Sequence, residues 1–216
     1  MAARLSLPNL VTMVRAALIF GVVLAAYGDN WWTSAVAGVL ALLIIAGDWL
    51  DGHLARRLNQ SSALGSVLDV AADRMLETVL WIVLADLDVI PVWIPIVVIS
   101  RGILTDTIRG YALRYGRSGF GEHSLHTSRL GRFITGSPIM RSGYAILKAF
   151  CFGWLFLALA ARKLAPHVTF IPQRALTLAF PIGEWAAVLA AVICLIRGVP
   201  VVIEGIRLIS REEVAA

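Results

Sequence analysis

Six separate stretches of mostly apolar residues, at 10–27, 32–50, 64–85, 90–112, 139–160 and 178–206, constrain this chain more than any other feature of it. Each is close to the ~20 residues that carry an α-helix across the ~30 Å hydrocarbon core of a bilayer. Backbone amides in lipid find no water, so a helix, which pairs them internally, is the conformation such stretches can adopt there. Little of the 216 residues is left for a separate soluble domain. The expected fold is therefore all-α: an integral membrane bundle of six transmembrane helices with an interfacial N-terminal segment, forming one domain over residues 1–216. A hydrophobic content of 59% and a mean hydropathy of +0.81 agree.

Charge gives the bundle an orientation. Arg4, Arg56, Arg57, Arg114, Arg117, Arg129, Arg132, Arg207 and Arg211 fall at one set of helix ends, and Asp29, Asp86 and Asp88 at the other. By the positive-inside rule both termini face the cytoplasm. Arg162, Lys163 and Arg174 run against the pattern. The net charge of +5 is thus a membrane-surface feature rather than a nucleic-acid footprint. Arg15 inside the first apolar stretch, and no small-residue cleavage pattern after it, argue for a retained helix rather than a secretory signal. Pro8 and Asn9 are expected just before that helix, and residues 114–133 form the longest polar connection. Cys151 and Cys194 sit in apolar stretches as small buried hydrophobes.

Against this background the segment from Gly47 to Arg74, GDWLDGHLARRLNQSSALGSVLDVAADR, carries four aspartates. Asp48 and Asp51 are three apart and Asp69 and Asp73 four apart, so each pair projects from one helical face. The pairs lie at the cytoplasmic end of the second helix and the start of the third, joined by a short polar connection at 57–63, so all four can converge. Clustered carboxylates repel one another and are costly in a membrane segment, which calls for cations between them. Hard carboxylate oxygens suit Mg²⁺ or Mn²⁺, and four could hold two such ions, as in two-metal phosphoryl-transfer sites. Gly52, Ala55 and Gly65 leave room for close approach, and Arg56 offers charge to a phosphate oxygen.

The run DWLDGHLAR at 48–56, eight residues, and GSVLDVAAD at 65–73 is similar, without a gap, to the signature of the CDP-alcohol phosphatidyltransferase family, Asp-x2-Asp-Gly-x2-Ala-Arg-x8-Gly-x3-Asp-x3-Asp. That resemblance implies a six-helix membrane enzyme, commonly a homodimer. In it Asp48, Asp51 and Asp69 bind two divalent metals, Asp73 serves as general base and further ligand, and Gly52, Ala55, Arg56 and Gly65 form the CDP-binding floor. It also implies attack by an alcohol hydroxyl on a CDP-linked lipid, CDP-diacylglycerol, with CMP leaving. The implied location is the bacterial inner membrane, with the active site facing the cytoplasm.

Three further segments bear on the acceptor. LPNLVTMVR at 7–15 resembles the opening of bacterial phosphatidylglycerophosphate synthases, which implies that Asn9 and Thr12 line the nucleotide site. SRGILTDTIR at 100–109 and SRLGRFIT at 128–135 resemble later segments of the same enzymes. Arg101, Arg109 and Arg132 are the candidate acceptor-binding residues. Arginines in or near a bilayer helix need an anionic partner, and a small phosphorylated alcohol such as glycerol 3-phosphate supplies one. An inositol phosphate would do so too, and Arg74 stands where glycerophosphate enzymes usually carry lysine. A transporter is the reading from another class; it predicts carboxylates near the bilayer midplane and paired inverted halves, neither of which this sequence suggests. Glu77, one turn beyond Asp73, is a candidate partner of Arg74 or Arg101, and Lys148 either snorkels or meets a lipid phosphate.

Overall fold

A computed structural model of the chain describes the backbone of residues 7–57, 63–114, 133–135, 137–168 and 173–215. Within these, the side chains of 7–9, 48–57, 63–64, 66, 114, 138, 173 and 211–215 lie outside the description. Six α-helices account for most of it: α1 (Leu7–Ala26), α2 (Trp31–Arg57), α3 (Ala63–Asp86), α4 (Trp93–Arg114), α5 (Pro138–Leu164) and α6 (Gln173–Ala215). A short 3₁₀ turn, Ala165–His167, follows α5. No strand occurs among the described residues. Phe133–His167 and Arg174–Ser210 are long and apolar enough to cross a membrane, and Leu10–Ala26 and Trp31–Gly47 are shorter apolar helices. All six expected apolar stretches fall on helices, in order.

Several boundaries differ from the apolar windows, among them the end of α2 at Arg57 and the start of α4 at Trp93. α1 begins at Leu7, so Pro8 and Asn9 lie in its first turn rather than before it; proline is tolerated there because the first amides of a helix need no intrahelical acceptor. α6 runs for 43 residues, well beyond 178–206. It continues through Pro181 and Pro200, as apolar helices can when neighbouring groups take up the freed carbonyls.

The chain divides into two compact units. The first comprises residues 1–92 and 149–184. Here α1 packs against both α2 and α3, and Ile19, Val22, Ala41, Leu80, Leu84, Leu155 and Phe156 are buried. Trp81 meets Phe152 edge to face at 4.8 Å. Gly38 lets α2 approach α5 closely, since a Cβ there would lie 2.9 Å from that of Phe156. Lys163 is used internally: Nζ donates to the Gly28 carbonyl at 2.6 Å and to Ser34 Oγ at 2.8 Å, clipping the α1–α2 turn. α3 ends in a Schellman arrangement, with Asp88 at φ 52°, Val89 N–H bonded to the Leu84 carbonyl and Asp88 N–H to that of Ala85. At this end the Tyr27 hydroxyl donates to Asp86.

The second unit comprises residues 93–148 and 185–216. Its core joins Ile108 and Ala112 of α4 to Val201 of α6, with Val202 and Leu208 packed alongside. Two glycines of α6, seven residues apart, make the approach possible: a Cβ at Gly205 would come 2.2 Å from Ile108, and one at Gly198 2.8 Å from the Arg101 side chain. Both cysteines are buried and unbridged.

Candidate active site

Each unit carries one concentration of charge. In the first unit, Asp48 and Asp51 lie on α2 and Asp69 and Asp73 on α3. The side chains of Asp48, Asp51, Gly52, Ala55 and Arg56 lie outside the described residues, as does that of Asn9. Gly65, Asp69 and Asp73 recur every four residues, which places them along one face of α3. Asp73 is exposed, and Asp69 has 46% of its side chain exposed.

Arg15 links the helices that carry the aspartates. It is 5% exposed, and its Nε donates to the Ile44 carbonyl of α2 at 3.2 Å while Nη1 lies 3.6 Å from Asp69 Oδ1 on α3. The stem rests on Gly47, where a Cβ would stand 3.3 Å from Arg15 Cδ. The α2 backbone just before Asp48 and the Asp69 carboxylate are therefore brought to one guanidinium. Thr12, one turn earlier on α1, is buried. The sequence treated Arg15 only as an obstacle to a cleaved signal. A charge in an apolar window is itself the signal that could have marked it.

Carboxylates one helical turn apart, as at Asp69 and Asp73, suit a hard divalent cation, although Asp69 Oδ1, the oxygen facing Arg15, is buried. Among the described residues no group of three or more His, Cys, Asp or Glu side chains gathers at metal spacing; Asp48 and Asp51 are outside that search. Glu77 pairs with Arg74, Oε2 to Nη1 at 3.4 Å, which settles one of its two expected partners.

The second unit is cationic. Arg101 and Arg109 lie on α4, and Arg132 is outside the described residues. Arg101 Nε is buried without a hydrogen-bond partner, and Arg101 forms no ion pair among the described residues. Arg197 of α6, which sequence reasoning missed, is in the same condition at Nε. Its guanidinium lies 5.1 Å from the Tyr144 ring centre, with Arg101 and Arg141 as electrostatic neighbours. Lys148 Nζ stands 4.8 Å from the same ring, so it meets an aromatic face within its own unit. Cations in an apolar unit are suited to a compact anion such as phosphate, and the same unit also carries the buried Glu204. A single arginine in IRGVP, at the middle of an apolar window, was the available sequence signal for Arg197.

Comparison with known proteins defines the class. The family model described as CDP-alcohol phosphatidyltransferase matches residues 5–213, so the chain belongs to that family. A Mycobacterium tuberculosis protein named for cardiolipin synthesis is 39% identical over 105 residues, covering 46% of this chain and 47% of its own. The chain thus spans about half the length of that relative. The Bacillus subtilis CDP-diacylglycerol–glycerol-3-phosphate 3-phosphatidyltransferase is 36% identical over 147 residues, 62% of this chain and 73% of its own. The Streptomyces coelicolor cardiolipin synthase (CMP-forming) is 29% identical over 168 residues, 70% and 74% of the two chains.

Proposed function

We propose that the protein transfers the phosphatidyl group of CDP-diacylglycerol to a hydroxyl of glycerol 3-phosphate, giving phosphatidylglycerophosphate and CMP. The observation that carries this reading is the family match running from residue 5 to residue 213, with the aspartate signature intact inside it. The name of the Bacillus subtilis relative supports the acceptor, as does a cluster of cations suited to a phosphate. In this reading residues 1–216 act as a single catalytic domain with six membrane-spanning helices. It works as a homodimer in a bacterial inner membrane, with its site on the cytoplasmic side.

The roles follow from side-chain chemistry. Asp48, Asp51, Asp69 and Asp73 would hold two divalent ions, Mg²⁺ or Mn²⁺, which when bound supply positive charge to the diphosphate. Gly52, Ala55, Arg56 and Gly65, with Asn9 and Thr12, bind the CDP moiety. Arg101, Arg109 and Arg132 hold the acceptor phosphate, and Arg197 joins them. Asp73 takes the proton of the acceptor hydroxyl as its oxygen attacks the β-phosphorus; the bond to the CMP oxygen breaks and CMP departs. Arg15 acts one step removed, orienting the Asp69 carboxylate.

The test is CMP release by the purified protein with CDP-diacylglycerol and Mg²⁺ or Mn²⁺. Glycerol 3-phosphate, inositol 1-phosphate, free inositol, serine and phosphatidylglycerol are supplied separately. Release that depends on glycerol 3-phosphate is expected. Release with another acceptor alone would keep the chemistry and overturn the substrate.

A further inference from the structure

Arg101 does not stand in a closed polar pocket. It borders a groove of about 470 Å³ between α4 and α6, wholly within the second unit. That volume lies within the roughly 300–1,000 Å³ range of small-molecule sites. Ile96, Leu104, Leu195 and Val199 are among its walls, and Ser100 and Arg101 are the polar residues that line it among the described residues. All four apolar residues are exposed large hydrophobics in the isolated chain, from 46% to 59%. On a membrane helix such a surface meets acyl chains rather than water.

A groove that is apolar throughout except for one guanidinium and an adjacent hydroxyl complements an amphiphile with a hydrocarbon tail and an anionic group at its head. Gly198 takes part in the same construction, because the space its missing Cβ leaves is filled by the Arg101 stem. The buried Nε of Arg101 has no partner among the described residues, so an incoming anion would supply the bond it lacks.

We infer that this groove is a binding site for the lipid product, an anionic phospholipid with a terminal phosphate: one acyl chain lies between α4 and α6, and the phosphate lies on Arg101. The inference rests on the proposed transfer to glycerol 3-phosphate. The acceptor's phosphate becomes the product's terminal phosphate, so a guanidinium that holds one holds the other. Of acceptor and product, only the product carries an acyl chain. The groove therefore distinguishes product from acceptor, whereas Arg101 by itself does not. The donor carries the same acyl chains but no terminal phosphate, so it lacks the group that Arg101 would hold in the product.

The experiment compares binding of phosphatidylglycerophosphate, phosphatidylglycerol, CDP-diacylglycerol and glycerol 3-phosphate to the purified full-length protein in phosphatidylcholine nanodiscs. Two variants fill the groove from opposite walls, Val199→Trp on α6 and Leu104→Trp on α4, so a folding failure of one does not decide the outcome. Each is expected to weaken phosphatidylglycerophosphate binding about tenfold, the scale of a few displaced methylenes, and to change glycerol 3-phosphate affinity by less than about twofold. Arg101→Gln should weaken both. Three results would overturn the inference: a loss that falls on CDP-diacylglycerol, a loss equally large for phosphatidylglycerol, or no loss in either tryptophan variant. Failure of the proposed reaction shows separately, as wild-type protein that releases no CMP with glycerol 3-phosphate while still binding the phosphorylated lipid.

Discussion

The two units handle charge in opposite ways. In the first, acidic side chains stand near the start of α3 one turn apart, Asp73 exposed and Asp69 half-exposed, and the buried Arg15 ties α1 to the neighbouring backbone of α2 and to Asp69. In the second, Arg101 and Arg197 each bury Nε without a hydrogen-bond partner among the described residues, and the Arg197 guanidinium lies 5.1 Å from the Tyr144 ring centre. The first arrangement is one that cations complete, the second one that an anion completes. The proposed phosphatidyl transfer would use both kinds of group, carboxylates for metal ions on a diphosphate and guanidinium groups for an acceptor phosphate.

The sharpest way to break this comparison is at the base. Asp73→Asn keeps the shape of the α3 face and removes the proposed proton acceptor, so kcat should fall roughly 10²–10⁴-fold. Thermal unfolding in detergent should stay near that of the parent. A variant retaining more than a tenth of parental kcat would move the base elsewhere.

Arg15→Met removes the link from α1 to the Ile44 carbonyl and to Asp69. The Asp69 oxygen that faces Arg15 is buried while the rest of its side chain is half-exposed, so the expected loss is about 1–3 kcal/mol rather than the cost of a fully buried pair. Chemical denaturation in mixed micelles reads it, and an unchanged midpoint would make Arg15 a bystander. Gly205→Val presses two extra methyls towards Ile108 at the α4–α6 contact and should destabilise by about 1–3 kcal/mol. Gly110→Ala on α4, where a Cβ meets nothing within 4 Å, serves as control. Equal effects would show that the α4–α6 contact is looser than described. The smallest effect is expected at Asp88, whose φ of 52° favours glycine. Asp88→Gly should gain about 0.5 kcal/mol, and a clear loss would mean that the Asp88 side chain has a structural role.

Much of this was legible in the sequence, and the exceptions have physical reasons. The six apolar windows, set by hydrocarbon thickness, fall on the six helices in order. The pairing of Asp69 with Asp73 on one face follows from helical period alone. Partners were not legible where they depend on tertiary approach. Arg15 and Arg197 each read as a lone arginine in an apolar run, and only packing reveals that one meets a carbonyl and a carboxylate and the other an aromatic ring. Lys163 ran against the charge rule because its ammonium is bonded at the α1–α2 turn. Gly47, Gly198 and Gly205 carry no sequence mark that separates them from other glycines; what they allow is set by the side chain opposite. The Schellman end of α3 was hidden because an aspartate occupies the position usually held by glycine.

The division of labour between the two units is tested most directly by the substrate dependence of CMP release in Arg197→Gln. The account predicts that KM for glycerol 3-phosphate rises about 10–100-fold, the scale of one charge-assisted phosphate contact, with KM for CDP-diacylglycerol changed by less than about twofold. A rise in KM for CDP-diacylglycerol with that for glycerol 3-phosphate unchanged would contradict it, and would place the cationic unit on the donor side of the reaction.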